Sequence, residues 1–143
     1  MKHAPIVDLA ARSAGPLADD LVDIAERELG FLHLRRKRLP VPRLSDAHWA
    51  ILLDLYVARA HRRQLFTKDL AAAAGVGITT LLRYLDALEE RELIARAPFD
   101  QDHRFTCVSA TEKGLSRIAA ILADEAALEG RREPQPATAR SAR

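Results

Sequence analysis

Residues that could support catalysis or bind a metal are few in this 143-residue sequence, and they lie far apart. The five histidines do not show the spacing of a metal site, and the single cysteine has no second thiol with which to form a disulfide. No glycine-rich phosphate loop follows a predicted strand. We therefore predict a protein that is not an enzyme and needs no metal or cofactor. The residues concerned are His3, His33, His48, His61, His103 and Cys107.

Positively charged side chains are more concentrated than any of these groups. The whole chain carries a net charge of only +2, which is too small to indicate a polyanionic partner. Residues 16–34, however, carry −4, and residues 35–68 carry +7. For residues 35–38 we favour a solvated helix end, where cations interact well with the last carbonyls. The role of a second basic cluster depends on its structural context; it comprises Arg59, His61, Arg62 and Arg63.

Composition predicts a mostly helical single domain. Apolar residues make up 48% of the chain and aromatic residues only 5%, which favours closely packed helices over a sandwich or barrel. Because no apolar run approaches membrane length and no signal peptide is evident, we expect a soluble, cytoplasmic protein. Residues 1–15 and 130–143 lack a sustained apolar period, so we predict a flexible N-terminus and a disordered basic tail.

The apolar periodicity predicts five helices and one β-hairpin. The predicted helices cover residues 16–34, 46–60, 68–74, 78–92 and 111–129, with Ser45, Thr67 and Thr111 as N-caps. Glycines at 75 and 77 separate the third helix from the fourth, which is the layout of a helix-turn-helix. Residues 93–97 and 105–109 predict two short strands joined by a charged loop. We interpret His48 as a surface or cap residue of the second helix.

The fourth predicted helix has two distinct faces. Leu81, Leu85 and Leu88 share the inward face, whereas Thr79, Arg83 and Asp86 point outward. In the second predicted strand, the side chain of Cys107 points to the opposite face from the side chains of its two neighbours. We favour a plain strand residue there over a redox sensor.

Three segments of the sequence follow one another in a distinctive order. They read LSDAHWAILLDL, DLAAAAGVGITTLLRYLDALEERELI and DQDHRFTCVSATEKG. In that order they resemble the first helix, the helix-turn-helix and the wing of MarR-type transcriptional regulators. The resemblance implies a mostly α (α+β) winged helix-turn-helix with a two-stranded β wing and flanking N- and C-terminal dimerisation helices. The implied domain spans residues 16–129, around a DNA-binding core of residues 44–114.

The resemblance also implies a function and a binding surface. It indicates a sequence-specific regulator of transcription that binds double-stranded DNA, as a homodimeric repressor that occupies an inverted-repeat operator. We favour Arg83 as a base contact, and we weigh Thr80 evenly between a DNA contact and a structural role in the helix. The implied DNA-binding residues are Ile78, Thr79, Thr80, Leu82, Arg83, Arg62, Arg63, Lys68, His103 and Arg104.

Two parts of this surface have alternative interpretations. Arg104 could reach DNA or form an ion pair with Asp100 or Asp102, the acids implied to stabilise the wing. Ile78 and Leu82 could contact thymine methyl groups, or they could bind a protein partner. The alternative function is accordingly a winged-helix interaction or assembly module with weak or no DNA binding.

The terminal helices carry more apolar surface than one neighbour can cover. The resemblance implies that two subunits interlock there and that a small-molecule effector of unknown identity could bind between these helices and the DNA-binding part. Only one helix is predicted after the wing, whereas the family usually has two. The implied dimerisation residues are Leu17, Leu21, Ile24, Phe31, Ile121 and Leu128.

Overall fold

The computed structural model describes residues 17–131. Within that range the chain forms five helices and a three-stranded antiparallel sheet, which confirms the predicted fold class. The predicted N-terminal segment 1–15 and residues 132–143 of the predicted tail lie outside it. In chain order the elements are α1 (Asp19–Arg38), α2 (Asp46–Ala60), β1 (Leu65–Phe66), α3 (Thr67–Ala74), α4 (Ile78–Glu90), β2 (Ile94–Phe99), β3 (Asp102–Ala110) and α5 (Glu112–Arg131).

The wing is the hairpin formed by β2 and β3. Its strands are longer than predicted, so only residues 100 and 101 separate them. The third strand, β1, was not predicted; it pairs with β3 through Leu65 opposite Val108 and Phe66 opposite Cys107. The sheet order is therefore β1-β3-β2, and β1 joins the start of the helix-turn-helix to the wing.

One hydrophobic core joins α2, α3, α4, the sheet and α5. Leu81, Leu85 and Leu88 of α4 are fully buried in it, which confirms the predicted inward face of this helix. Ile121 of α5 is fully buried in the same core. The prediction that Ile121 lies in a dimer interface is therefore wrong, because the side chain packs within its own subunit.

Hydrogen bonds and a close approach of two backbones fix the start of α5. The Thr111 hydroxyl accepts a hydrogen bond from Gly114 N at 2.9 Å and donates one to the Glu92 carbonyl at 2.6 Å, which confirms the predicted cap. Thr111 N also donates to the Leu93 carbonyl at 3.0 Å. A Cβ at Gly114 would overlap the carbonyl group of Leu93. Only glycine therefore permits α5 to lie this close to the strand that begins the wing.

The other predicted helix starts had different outcomes. Ser45 is the N-cap of α2, as predicted. Thr67 is the first residue of α3 rather than its cap, and the Asp69 carboxylate accepts a hydrogen bond from Phe66 N at 3.0 Å. Gly75 ends α3 in the left-handed region, with φ of 68°, a conformation that glycine adopts readily.

The first helix contributes no fully buried residue. It continues to Arg38, four residues beyond its predicted end. Two cations of its last turn bind carboxylates of α5: Arg35 Nε lies 2.8 Å from Glu125, and Arg38 Nη2 lies 2.7 Å from Asp124. These arginines are therefore partners of another helix rather than a purely solvated helix end. α5 likewise extends to Arg131, so residues 130 and 131 are helical and not part of a disordered tail.

Candidate nucleic-acid interface

The outward face of α4 combines polar, cationic and apolar side chains near the start of the helix. Because Leu81, Leu85 and Leu88 fill the core, the opposite side of α4 faces solvent. Ile78 is 48% exposed and Leu82 39%. Three further candidates on α4 are also exposed, namely Thr79, Thr80 and Arg83. The structure thus presents two hydroxyls, a guanidinium and two aliphatic side chains from the first two turns of one helix.

The N-terminus of α4 begins without a side-chain cap. Its N-cap is Gly77, so neither Thr79 nor Thr80 occupies the capping position. The space around Gly77 is open, because a Cβ placed there would have no neighbour within 4 Å. The backbone at the start of α4 is therefore open to solvent.

Arg96 of β2 connects the wing to α4, and sequence reasoning missed this residue. Its Nη2 lies 2.6 Å from the Asp86 carboxylate, and its Nε lies 3.0 Å from the Glu89 carboxylate. Hydrogen bonds to Glu89 and then to Asp86 raise the pKa of the Arg96 guanidinium above its usual range. The cation pairs with two carboxylates on the helix that exposes Arg83 and offsets one of their two negative charges. Strand alternation could have signalled it, because Arg96 shares a face with the buried Ile94 and needs a partner there.

At the tip of the wing, Arg104 folds back onto Asp102. The carboxylate accepts hydrogen bonds from Arg104 Nη2 at 2.7 Å and from Arg104 N at 3.1 Å. These bonds hold the pKa of the Asp102 carboxyl below its usual range. The structure therefore shows the ion pair between Arg104 and Asp102 that the sequence offered as an alternative. The Arg104 guanidinium stays largely exposed. His103 and Asp100 are exposed beside it, and the stabilising role of Asp100 stays a prediction.

The basic loop between α2 and β1 contributes a second group of exposed cations. Arg62 adopts a left-handed conformation with φ of 56°, and Arg63 N donates to the Ala58 carbonyl at 2.8 Å. Both side chains are exposed. Arg59, at the end of α2, instead lies 3.2 Å from Glu112 of α5, so its charge is partly compensated.

Lys68 lies at the base of the wing. Its Nζ is 4.6 Å from the centre of the Phe105 ring, a favourable distance for a cation over an aromatic face. Phe66 packs against Phe105 and also against Phe99, with ring centres 5.8 and 5.1 Å apart. This aromatic group joins β1 to the hairpin, so the start of α3 and the wing form one unit.

His48 is a buried cap rather than a surface residue. Its Nδ1 accepts a hydrogen bond from Ser45 N at 3.0 Å, and its ring centre lies 4.6 Å from that of Tyr84. Burial lowers the pKa of His48 below its usual value. The cap role is confirmed, whereas exposure is not.

The described residues, 17–131, offer neither a metal site nor a membrane-spanning helix. That part of the chain contains no group of three or more His, Cys, Asp and Glu side chains arranged to hold a metal ion. None of its helices is long and apolar enough to cross a membrane.

A groove of about 580 Å³ lies between α2 and α5, lined by Tyr56, Arg59, Leu115 and Ala119 among others. An effector there, or elsewhere, stays a prediction.

The geometry defines a winged helix-turn-helix protein, and comparison with known proteins agrees. Residues 44–106 match the model of the MarR family. The match runs from the residue before the Ser45 cap to the middle of β3, within the DNA-binding core that the sequence resemblance implied. The matched segment includes the exposed residues of α4, but it excludes α1 and α5.

Solved structures have the same fold. MepR, a transcription regulator of the Staphylococcus aureus multidrug efflux pump MepA, is 17% identical, with a TM-score of 0.62 over 90% of this chain and 82% of MepR. YusO from Bacillus subtilis is 21% identical, with a TM-score of 0.66 over 90% of this chain and 83% of YusO. MepR in an S. aureus MepR–DNA complex is 23% identical, with a TM-score of 0.60 over 79% of this chain and 90% of that chain. At these identities the similarity establishes the fold.

Proposed function

We propose that the protein is a transcriptional regulator that binds a specific sequence in double-stranded DNA and represses by occupying its operator. The observation that carries the proposal is the outward face of α4. In a segment that matches the MarR family model, this helix exposes Thr79, Leu82 and Arg83, while Arg96 pairs with two carboxylates farther along it and offsets part of their charge. A duplex-binding helix needs such a face, because hydroxyls and guanidinium groups bond base edges and phosphates repel carboxylates.

Each candidate side chain has a distinct role in this proposal. The first turns of α4 enter the major groove, where Arg83 binds a guanine through two hydrogen bonds and Thr79 binds a base edge or phosphate. Thr80 contributes a second hydroxyl at the same end of the helix. Arg62, Arg63 and Lys68 bind phosphates, which supplies affinity without sequence selectivity. His103 and Arg104 place the wing against the flanking backbone.

We further propose that the functional unit is a homodimer formed through α1. Leu21 is 50% exposed and Ile24 44%; Val22 and Leu29 are exposed on the same helix, and Leu17 is exposed just before it. A contiguous apolar surface of this kind is costly in water and is relieved by association with a second copy. Twofold symmetry would place two α4 helices in successive major grooves, about 10 base pairs apart. The operator would then be an inverted repeat.

Selection of bound sequences from a random duplex pool tests this function directly. We expect the selected DNA to contain an inverted repeat, and its affinity to fall steeply as salt rises because phosphate contacts release counterions. Failure to bind any duplex at low salt would contradict the proposal and favour the interaction module.

Arg83→Ala then tests the assignment of α4. We expect a loss of about 1–3 kcal/mol on the selected site and a smaller gap between that site and random DNA, measured by fluorescence anisotropy. Arg91→Ala is the matched control, because Arg91 is an exposed arginine at the opposite end of the same helix. An equal loss on every sequence would make Arg83 a phosphate contact, and no loss would contradict the orientation of α4.

A further inference from the structure

Two exposed aliphatic side chains on α4 have no partner within their own subunit's core. Ile78 and Leu82 stand one helical turn apart and are 48% and 39% exposed. They form an apolar strip beside the strip made by Thr79 and Arg83, also one turn apart. The core is complete without them, because the opposite face of α4 already supplies three fully buried leucines.

The proposed function places this strip against the major groove of DNA. Among the groups that base pairs present in that groove, the methyl group of thymine is the apolar one. We propose that Ile78 and Leu82 read thymine methyl groups, so that each half-site contains thymines at the positions these two side chains face. This inference rests on the proposed function and specifies the sequence that the site recognises.

The charges around the strip favour DNA over an apolar protein partner as its occupant. Arg83 lies directly beside Leu82 in the chain and is exposed on the same side of α4. Farther along the helix, Arg96 pairs with Asp86 and Glu89, so one of the two nearest negative charges is offset. The major groove of DNA matches this combination, because its thymine methyl groups stand among hydrogen-bond acceptors and phosphates. The apolar strip can contact the methyl groups, and the Arg83 guanidinium beside it can bind the acceptors or phosphates.

Helix and duplex dimensions define how the thymines are arranged. One turn of an α-helix rises about 5.4 Å, and successive base pairs of a duplex are about 3.4 Å apart. Side chains one turn apart therefore reach methyl groups within about two base-pair steps of each other. Because Arg83 follows Leu82, the guanine that it reads lies beside the thymine that Leu82 reads.

Deoxyuridine substitution tests the inference, because it removes the methyl group and leaves base pairing intact. Each thymine of the selected operator is replaced singly, and binding is measured by anisotropy for the unmodified protein and for Ile78→Ala and Leu82→Ala. We expect about fourfold weaker binding per methyl at the two contacted positions, the equivalent of exposing one buried methyl group. Each alanine variant should lose sensitivity at one position and keep it at the other.

Val57→Ala is the matched control, because Val57 is 45% exposed on α2 and lies outside the strip. It should bind every substituted duplex with the same relative affinity as the unmodified protein. Full tolerance of deoxyuridine by a protein that still binds its selected operator would overturn this inference alone. So would an unchanged sensitivity to deoxyuridine in both alanine variants. A protein that binds no duplex would overturn the inference together with the proposed function.

Discussion

The first helix and the fourth helix make opposite use of their apolar residues. α4 buries Leu81, Leu85 and Leu88 completely within the subunit. α1 buries none of its residues completely and leaves Leu21 and Ile24 about half exposed. Its last turn is joined to α5 by ion pairs, and Leu34 just before that turn packs against the core.

This contrast indicates which part of the fold is complete in one chain. The winged helix-turn-helix closes its own core, and its exposed side chains are available for a ligand. α1 has an exposed apolar surface, and it is attached by charge pairs, by the packing of Leu34 and by the Arg35 guanidinium, 5.1 Å from the centre of the Trp49 ring.

The same substitution in the two regions should have opposite effects. Gly114→Ala forces a Cβ into the Leu93 carbonyl, where backbone must move, so we expect a loss of about 3 kcal/mol or more. Gly30→Ala in α1 would place its Cβ 3.8 Å from Leu128, an ordinary contact. Because alanine favours helix over glycine, it should stabilise by about 0.5–1 kcal/mol. Urea denaturation followed by circular dichroism measures both changes.

Equal changes in stability in Gly114→Ala and Gly30→Ala would contradict the contrast between the two regions. If Gly114→Ala unfolds the chain outright, Gly114→Ser should do the same, because any Cβ meets the same oxygen. A fully stable Gly114→Ala would mean that α5 can shift away from Leu93 without cost.

Charge placed on the exposed face of α1 should separate the subunits. Leu21→Lys with Ile24→Lys is expected to yield monomers with a folded winged domain, because lysines cannot be buried at an interface without partners. Light scattering measures the mass at micromolar concentration. Glu26→Lys is the matched control: it adds the same two units of charge but removes no apolar surface, and it should stay dimeric.

A monomeric unmodified protein, with and without operator DNA, would contradict dimerisation through α1. If the variant with both lysines is still a dimer, the interface must lie elsewhere than on this face of α1. Leu128 would not then be a candidate for the dimer interface either, since the Leu128 side chain already lies against Gly30 within the subunit.

Local sequence patterns predicted the helices and the wing, because periodicity and caps such as Ser45 and Thr111 act within a few residues. They failed where the partner is distant in sequence. A two-residue strand such as β1 has no alternation to detect, and it exists because β3 pairs with it. Ile121 was assigned to a surplus face, because a helix pattern alone does not reveal how wide a face its own subunit covers.

The same reason explains why the candidate site was predicted only in part. Exposure of Ile78 and Arg83 followed from the spacing of the three leucines. The pairing of Arg96 with Asp86 and of Arg104 with Asp102 depends on how the wing folds back, which spacing does not fix.

The smallest effect concerns the connection between the wing and α4. Arg96→Gln removes a largely buried cation from two carboxylates, and we expect a loss of stability of about 1 kcal/mol. DNA affinity should fall as well, because the freed charges of Asp86 and Glu89 repel phosphates. Anisotropy titrations at several salt concentrations measure the affinity, and the deficit should shrink as salt rises.

A second substitution separates charge from position. In the Arg96→Gln background, Asp86→Asn removes half of the uncompensated negative charge without restoring the link to β2. Recovery of affinity without recovery of stability would show that Arg96 acts on DNA binding through electrostatics. If affinity does not recover, Arg96 acts by positioning the wing. The wing of the unmodified protein is then held in place only while this ion pair is intact. Unchanged affinity in Arg96→Gln itself would contradict both roles.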